Sequence, residues 1–238
     1  MLPDWQRGIV KQIEPVNALT RRFFIELPEV ESFDFKPGQF VTLDLPVHEQ
    51  RNRRWRSYSI ASAPDGGKVI ELIIVLLEGG TGTTYLFNEV QVGQEILLRG
   101  PLGIFVLPES LDKELFLICT GTGIAPFRSM LQHLRVNPRH HKPIHLIFGT
   151  RTQSDLLYRD EMQELEKQIP DFHYHPILSR EEWKGRQGYL HVIYEELCSS
   201  LQPAEFFICG WKDMVEEAKK RILDLGYEKK SIHLELYG

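Results

Sequence analysis

Within four residues, Arg56-Ser-Tyr-Ser59 places a guanidinium, a phenol and two hydroxyls at the start of a β-run. Such a set suits a flat, phosphate-bearing ligand. Arg56 can grip a phosphate with two parallel N–H bonds, and Tyr58 offers an aromatic face with an oxygen at its tip. Alternation along a strand puts Arg56 and Tyr58 on one face and Ser59 on the other, so one ligand reaching all three must lie along an edge or meet a twisted strand. Read alone, the same residues also fit an exposed barrel strand whose charged edge discourages aggregation.

A second group is the loop Thr120-Gly-Thr-Gly-Ile-Ala-Pro126, between an apolar run ending at Cys119 and a helical stretch, with Pro126 at a first-turn position. Glycines there let backbone N–H groups approach an anion, and a helix start favours negative charge. A tight strand-to-helix connection explains the loop equally well. The turn Ile208-Cys209-Gly210 sets a thiol at the end of another β-run, where residue type alone reads as a small buried hydrophobe. Cys119 and Cys198 are core or surface thiols by the same reasoning. Three scattered cysteines without a C-x-x-C pair offer neither a disulfide framework nor a zinc or iron–sulfur site. His140-His141 falls in a polar turn and His173 and His175 alternate along a β-run, so no metal site is expected. Glu161, Glu164 and Glu166 read as a solvated helix face.

The elements that must hold these groups fall into two halves. From Ile9 to about Leu107 there are short β-runs broken by Pro, Gly and Asn: 22–27, 39–45, 57–61, 69–77 and 95–99, with a loop at 79–84 and a short helix at 85–90. This is a small antiparallel barrel or sandwich. From Leu115 the pattern becomes strand–helix alternation, with β-runs at 115–119, 144–148, 172–178, 205–209 and 232–237 and the clearest helices at 155–168 and 212–225. Five β-runs joined by helices predict a doubly wound parallel sheet, which binds ligands at the carboxyl ends of its strands. The spacing predicts domains at 1–109 and 110–238. Their combined 238 residues, with 42% hydrophobic and 26% charged residues, suffice for two cores. No apolar stretch approaches the ~20 residues of a membrane span, and no basic segment followed by an apolar core marks a secretory signal, so a cytoplasmic setting is expected. A net charge of -5 gives no bulk attraction to nucleic acid, and the one basic run is Arg51-Asn-Arg-Arg-Trp-Arg56.

The ordered series Arg56-x-Tyr58-Ser59, Gly80-Thr-Gly-Thr-Thr-Tyr-Leu86, Gly100-Pro-Leu-Gly-Ile-Phe105, Gly121-Thr-Gly-Ile-Ala-Pro-Phe-Arg128, Cys209-Gly-Trp-Lys-Asp-Met214 and Glu235-Leu-Tyr237 resembles the ferredoxin–NADP reductase family over essentially the whole chain. The resemblance implies a Greek-key β-barrel holding FAD, followed by a doubly wound α/β domain for NADP. It implies that Arg56 binds the FAD pyrophosphate, that Tyr58 packs on the flavin, and that Ser59 hydrogen-bonds flavin N5. Thr81, Gly82, Thr83 and Thr84 match a second phosphate loop. Gly121, Thr122, Gly123 and Pro126 match the loop for the pyridine-nucleotide pyrophosphate, with Gly210 and Met214 in the neighbouring motif. Cys209 and Glu235 match the nicotinamide-side thiol and carboxylate, and Tyr237 the terminal aromatic that covers the flavin. Arg151, Ser179, Arg180 and Arg186 match positions that bind the 2'-phosphate, which favours NADPH over NADH. The implied activity is hydride transfer between NADPH and FAD, with single electrons passed to a ferredoxin or flavodoxin. Arg51, Arg53 and Arg54 would steer that acidic carrier, or serve only as a basic loop near the FAD phosphates. The alternatives are an oxygenase reductase component, a free-flavin reductase, or a flavin-binding interaction subunit or redox sensor without turnover.

Overall fold

The computed structural model describes residues 2–237 and divides into two compact units. One runs to Val106 and also takes in residues 128–133; the other comprises 107–127 and 134 onward.

The first unit is built on a six-stranded antiparallel sheet: β1 (Gln6–Asn17), β2 (Thr20–Glu26), β3 (Phe40–Asp44), β4 (Trp55–Ser59), β5 (Val69–Val75) and β6 (Glu95–Leu102), in the order β4-β3-β6-β1-β2-β5. Its ends meet through an antiparallel bridge between Ile60 and Leu72, which curls the sheet into a barrel around Phe23, Ile25, Val41, Leu43 and Leu98. The sequence reading names no run for β1, and the reason is local. β1 carries Gly8 and Pro15, and its pairing with β2 shifts register near residues 10–12 and 15–17, so its side chains lack a clean period of two. Gly8 is a close-approach residue, since a Cβ there would lie 2.7 Å from the Ile25 side chain. Helix α1 (Thr81–Asn88) begins four residues before the expected start at Tyr85. Gly79, at φ +73°, turns the chain, and the Thr83 hydroxyl ties the loop shut by accepting from Leu77 N (3.1 Å) and donating to the Gly80 carbonyl (3.1 Å).

The second unit contains the five expected parallel strands, β7 (Glu114–Thr120), β8 (Ile144–Thr150), β9 (Phe172–Leu178), β11 (Ala204–Trp211) and β12 (Ile232–Tyr237). A sixth strand, β10 (Arg186–Gln187), is too short to show in the sequence and pairs with β9 at the edge, giving the order β10-β9-β8-β7-β11-β12. Helices α2 (Ala125–Val136), α3 (Arg159–Gln168), α4 (His191–Leu197) and α5 (Lys212–Asp224) connect them. Val215, Ala218 and Ile222 of α5 are buried at helical spacing beside Tyr194 and Phe206, and Gly226 at φ +105° ends the helix. Helix α3 starts at Arg159, not at the expected Asp155. Asp155 instead accepts from Thr152 N and Oγ1 in a 3-10 turn, and Tyr158 adopts a left-handed conformation (φ 55°).

At the amino ends of these strands a row of rings crosses the sheet. Phe206, Phe116, His145 and His173 are paired in register, with successive centroids 5.1, 4.9 and 5.2 Å apart. His175 joins them through a 3.2 Å contact between its Nε2 and His145 Nδ1. Among the described residues no group of three candidate ligands is arranged to hold a metal. Burial pulls both His145 and His175 down to about 4, helped by neighbouring imidazoles. Between that value and the ordinary 6.5 the folded chain binds fewer protons than the unfolded chain, so stability falls as pH drops through this window. After discounting for solvent screening, each histidine contributes on the order of 1 kcal/mol to this loss. His145→Phe, which keeps the stack, should flatten the difference in urea-unfolding free energy between pH 7 and pH 5 by about half; an unchanged difference would remove these imidazoles from the acid response.

Candidate functional site

In the first unit the structure brings the Arg56 group and the Thr81–Thr84 group together. Arg56 leaves β4 and lays its side chain over the start of α1: Nη2 lies 3.2 Å from Thr81 Oγ1, and a Cβ at Gly82 would sit 2.9 Å from both Cγ and Nε of Arg56. Its Nη1 donates to the carbonyls of Arg53 (2.9 Å) and Trp55 (2.8 Å), which fixes the guanidinium. Helix α1 has no side-chain cap, and its first internal bond is Thr84 N to Gly80 O, so the amides of residues 81–83 have no acceptor within the helix. A fixed cation and an uncapped helix start therefore share one spot, which is a cradle for a phosphate. Thr83 differs from its neighbours, because its hydroxyl closes the loop onto Leu77 and Gly80. Tyr58 is half-buried, and its phenol is pushed up to about 12 chiefly by burial, against the opposing Arg56 charge. It stays protonated and available as a donor. Ser59 is buried at the end of β4.

In the second unit the expected residues gather at the carboxyl ends of the parallel strands. Residues Gly121–Ile124 form a 3-10 turn without a side-chain cap, running straight into α2 with Pro126 in its first turn. Gly121 has φ +55°, and a Cβ at Gly123 would lie 2.4 Å from the Cys209 carbonyl, so this loop can lie on β11 only as glycine. Gly210 makes the reciprocal approach: a Cβ there would meet Thr120 Oγ1 at 2.6 Å and Met214 Cε at 2.9 Å. Thr122 is half-buried beside this contact, and Met214 packs against the core under α5. The Thr120 hydroxyl is buried at the strand end with no hydrogen-bond partner among the described residues. The glycine cradles, the uncapped helix starts and this orphaned hydroxyl fit phosphate-bearing ligands.

Cys209 and Glu235 face each other across the β11–β12 pair, in register, with Sγ 3.9 Å from Oε1. The thiol is fully buried and raised well above its ordinary value, first by desolvation and then by the Glu235 charge; Tyr237 also hydrogen-bonds it. A thiol so placed stays protonated and shapes its surroundings without acting as a nucleophile. Tyr237 pairs with Trp211 at the end of the same ladder.

Arg151, Ser179 and Arg180 are exposed at the ends of β8 and β9, joined by Ser179 N to Thr150 O (2.9 Å) and Arg180 N to Arg151 O (3.0 Å). Arg186 is placed otherwise, with Nη1 paired to Glu196 at 2.7 Å. In the basic run, Arg54 and Arg51 both reach the buried Asp44 (2.8 and 3.5 Å), whereas the Arg53 guanidinium lies 3.3 Å from His48 Nε2. Two residues with no role in the sequence reading stand out. Glu71 and Arg128 form a buried pair at 2.9 Å in the first unit. The available signal for Glu71 is a carboxylate inside the apolar run 69–77.

These two sets of loops define an oxidoreductase with one flavin-nucleotide domain and one pyridine-nucleotide domain. The oxidoreductase FAD-binding domain model matches residues 7–107, and the oxidoreductase NAD-binding domain model matches 117–220. Ferredoxin–NADP reductase B of Sorangium cellulosum is 35% identical over 235 residues, covering 94% of each chain. The chain belongs to the ferredoxin–NADP reductase family. It is also 32% identical to the anthranilate 1,2-dioxygenase electron transfer component of Acinetobacter baylyi over 89% of this chain, and spans 61% of that relative's length. Among solved structures, a Neisseria gonorrhoeae ferredoxin NADP+ reductase with bound FAD and NADP superposes with a TM-score of 0.82 at 27% identity, over 98% of each chain. An Amycolatopsis cytochrome P450 reductase gives 0.87 at 28% identity over 98% of this chain and 70% of that one.

Gly82→Ala tests the phosphate cradle. The new methyl meets the stem of a flexible side chain, so Arg56 gives way and the barrel survives. The FAD dissociation constant should rise about tenfold, the equivalent of ~1.4 kcal/mol, with a urea midpoint close to wild type. Unchanged FAD affinity would detach Arg56 and α1 from the cofactor.

Proposed function

We propose that the chain is an FAD-dependent reductase that passes a hydride between NADPH and FAD and single electrons between FAD and a ferredoxin or flavodoxin, with residues 1–109 as the FAD domain and 110–238 as the NADP domain. The observation that carries this reading is the fixed Arg56 guanidinium over the uncapped start of α1, a ready receptor for a dinucleotide pyrophosphate. When bound, FAD supplies the two-electron to one-electron exchange, and the protein supplies binding and orientation.

In this reading Arg56 and the amides of Thr81, Gly82 and Thr83 hold the FAD pyrophosphate, with Thr84 closing the first turn behind them. Tyr58 packs against the ring system and Ser59 donates a hydrogen bond to flavin N5. The Gly121–Pro126 loop receives the NADPH pyrophosphate through its backbone N–H groups, with Gly210 leaving room for it. Cys209 and Glu235 shape and orient the nicotinamide pocket as a protonated thiol and a carboxylate, and Tyr237 supplies an aromatic face. Arg151, Ser179 and Arg180 receive the 2'-phosphate. Arg186 is the least suited of the four because Glu196 already occupies it. For the acidic carrier, Arg53 is the strongest steering candidate of the basic run, because Arg51 and Arg54 share Asp44. Among the described residues no helix is long and apolar enough to cross a membrane, and the proposed setting is cytoplasmic. A second reading, the reductase component of an oxygenase, is supported by the similarity to an electron transfer component that is longer than this chain.

Anaerobic titration of the purified yellow protein with NADPH, and separately with NADH, tests the assignment. Bleaching of the flavin by NADPH in preference to NADH supports it, and a flavin that resists both coenzymes overturns it. Arg180→Ala should raise the KM for NADPH about tenfold or more and leave NADH nearly unaffected, since a lost charge-assisted phosphate contact is worth ~1.5–3 kcal/mol. An equal effect on both coenzymes would remove the 2'-phosphate role.

A further inference from the structure

The Glu71–Arg128 pair is part of a larger buried arrangement. Glu71 lies in β5 with its side chain 5% exposed, and three hydrogen bonds hold its carboxylate: Arg22 Nε to Oε1 (2.6 Å), Arg22 Nη2 to Oε2 (3.1 Å) and Arg128 Nη1 to Oε2 (2.9 Å). Arg22 also pairs with Glu14 at 2.6 Å, so two carboxylates and two guanidiniums compensate one another. Apolar side chains of similar volume would close a barrel at least as well, because desolvating ions offsets much of their attraction. The directionality of this network is therefore its informative feature.

From Glu71, Arg128 and its neighbour Ser129, further bonds converge on one short segment. Arg128 Nη1 donates a second bond to the Ala61 carbonyl (2.8 Å). Glu71 takes Ala61 N through its own carbonyl (2.8 Å), and its amide donates to Ser62 Oγ (3.1 Å). Ser129, next to Arg128 on α2, donates to the Ser62 carbonyl at 2.6 Å. Ile60 N is held by the Gln39 carbonyl at 3.0 Å. Residues 60–62 thus have main-chain groups pinned from three sides, at the seam where the barrel closes, and they continue the strand that ends at Ser59. Rotation about the backbone of a pinned segment is restricted, and Ser59 inherits that restriction through two peptide planes.

We propose that Arg128, held by Glu71, is a positioning residue for the flavin strand: by fixing the Ala61 carbonyl it sets the place of Ser59 and thereby the rate of hydride transfer. This rests on the FAD-dependent reading above. Arg128→Met leaves Glu71 doubly bonded to Arg22, a guanidinium it then shares with Glu14, so some loss of stability is expected while the carboxylate keeps a cationic partner. Arg128→Lys restores a donor at the same place.

The test uses the full chain purified with its FAD, in three variants, with two measurements each: hydrogen exchange of the Ile60 and Ala61 amides, and single-turnover flavin reduction by NADPH. For Arg128→Met the expected result is retained FAD, exchange at 60–61 faster by about tenfold, and reduction slower by about tenfold, with most of both effects recovered in Arg128→Lys. Ser129→Ala, which removes only the bond to Ser62, should slow reduction by a few fold; it keeps the proposal open to refutation where Arg128→Met fails to fold. Reduction at the wild-type rate despite faster exchange, or no recovery by lysine, overturns the positioning role and reduces the pair to a stabilising one. A wild-type protein that cannot be loaded with FAD overturns the parent reading itself, an outcome distinct from the others because it precedes any variant.

Discussion

A helix that begins without a side chain bonded to its first amides keeps a locally electropositive end, and the candidate cofactor loops in both units begin that way. The start of α1 after Gly80 and the turn into α2 after Thr120 both lack a side-chain cap. The turn after β8 is closed differently, by Thr152 donating to Asp155. Uncapped starts forgo stabilisation worth roughly 0.5–2 kcal/mol each. An anionic ligand that supplies the missing acceptors restores it, so the loops are poised to bind as a direct result of being locally unsatisfied. The glycines follow from the same constraint. Gly82 lets Arg56 lie across α1, and Gly123 lets the second loop lie on β11; a methyl in either place would separate the groups that make the cradle.

The barrel shows a related trade between packing and placement. At its closing bridge the side chains of Ile60 and Leu72 are apolar and buried. One residue to either side the character changes, with Glu71 and Ala61 bonded to each other and to Arg128. Apolar burial holds the sheet closed with about 25 cal/mol per Å² and no angular preference, whereas hydrogen bonds to a buried charge are short and directional. Placing the second kind of contact immediately after the strand of Arg56, Tyr58 and Ser59 gives that strand a defined end as well as a stable one.

The sequence made the parallel sheet legible almost residue by residue, because its core strands are continuous apolar runs bounded by helices with a different period. The barrel was less so. β1 hides behind Gly8, Pro15 and two register shifts, and the start of α1 hides behind threonines that read as loop residues until Thr83 is seen to fasten the turn. Likewise β10, at two residues, leaves no periodic trace. For the candidate sites, the motifs located the loops, but a motif carries no information on which members touch. Arg56 over Gly82, and Gly123 under the Cys209 carbonyl, are contacts between segments far apart in sequence. Glu71 was visible only as a polar interruption, since its partners come from β2 and α2, two elements that share no local pattern with it.

The two ends of the parallel sheet show why stability and candidate chemistry can be separated in this unit. Ring stacking at Phe206, Phe116, His145 and His173 occupies the amino ends, while Thr120, Gly210, Cys209 and Glu235 occupy the carboxyl ends of the neighbouring strands. The strand ladder fixes both sets at once, because register pairs 206 with 116 and 209 with 119 and carries the pairing on to 235. A slip of one residue in β12 would send Glu235 to the opposite face and away from Cys209. Burial explains the rest of that site. The enclosure that keeps the thiol protonated is reinforced by the Glu235 charge beside it, which further disfavours a thiolate. The meeting of Cys209 and Glu235 thus rests on the pairing of two neighbouring strands, and a change in the packing that holds β12 in register would disturb it without altering either residue.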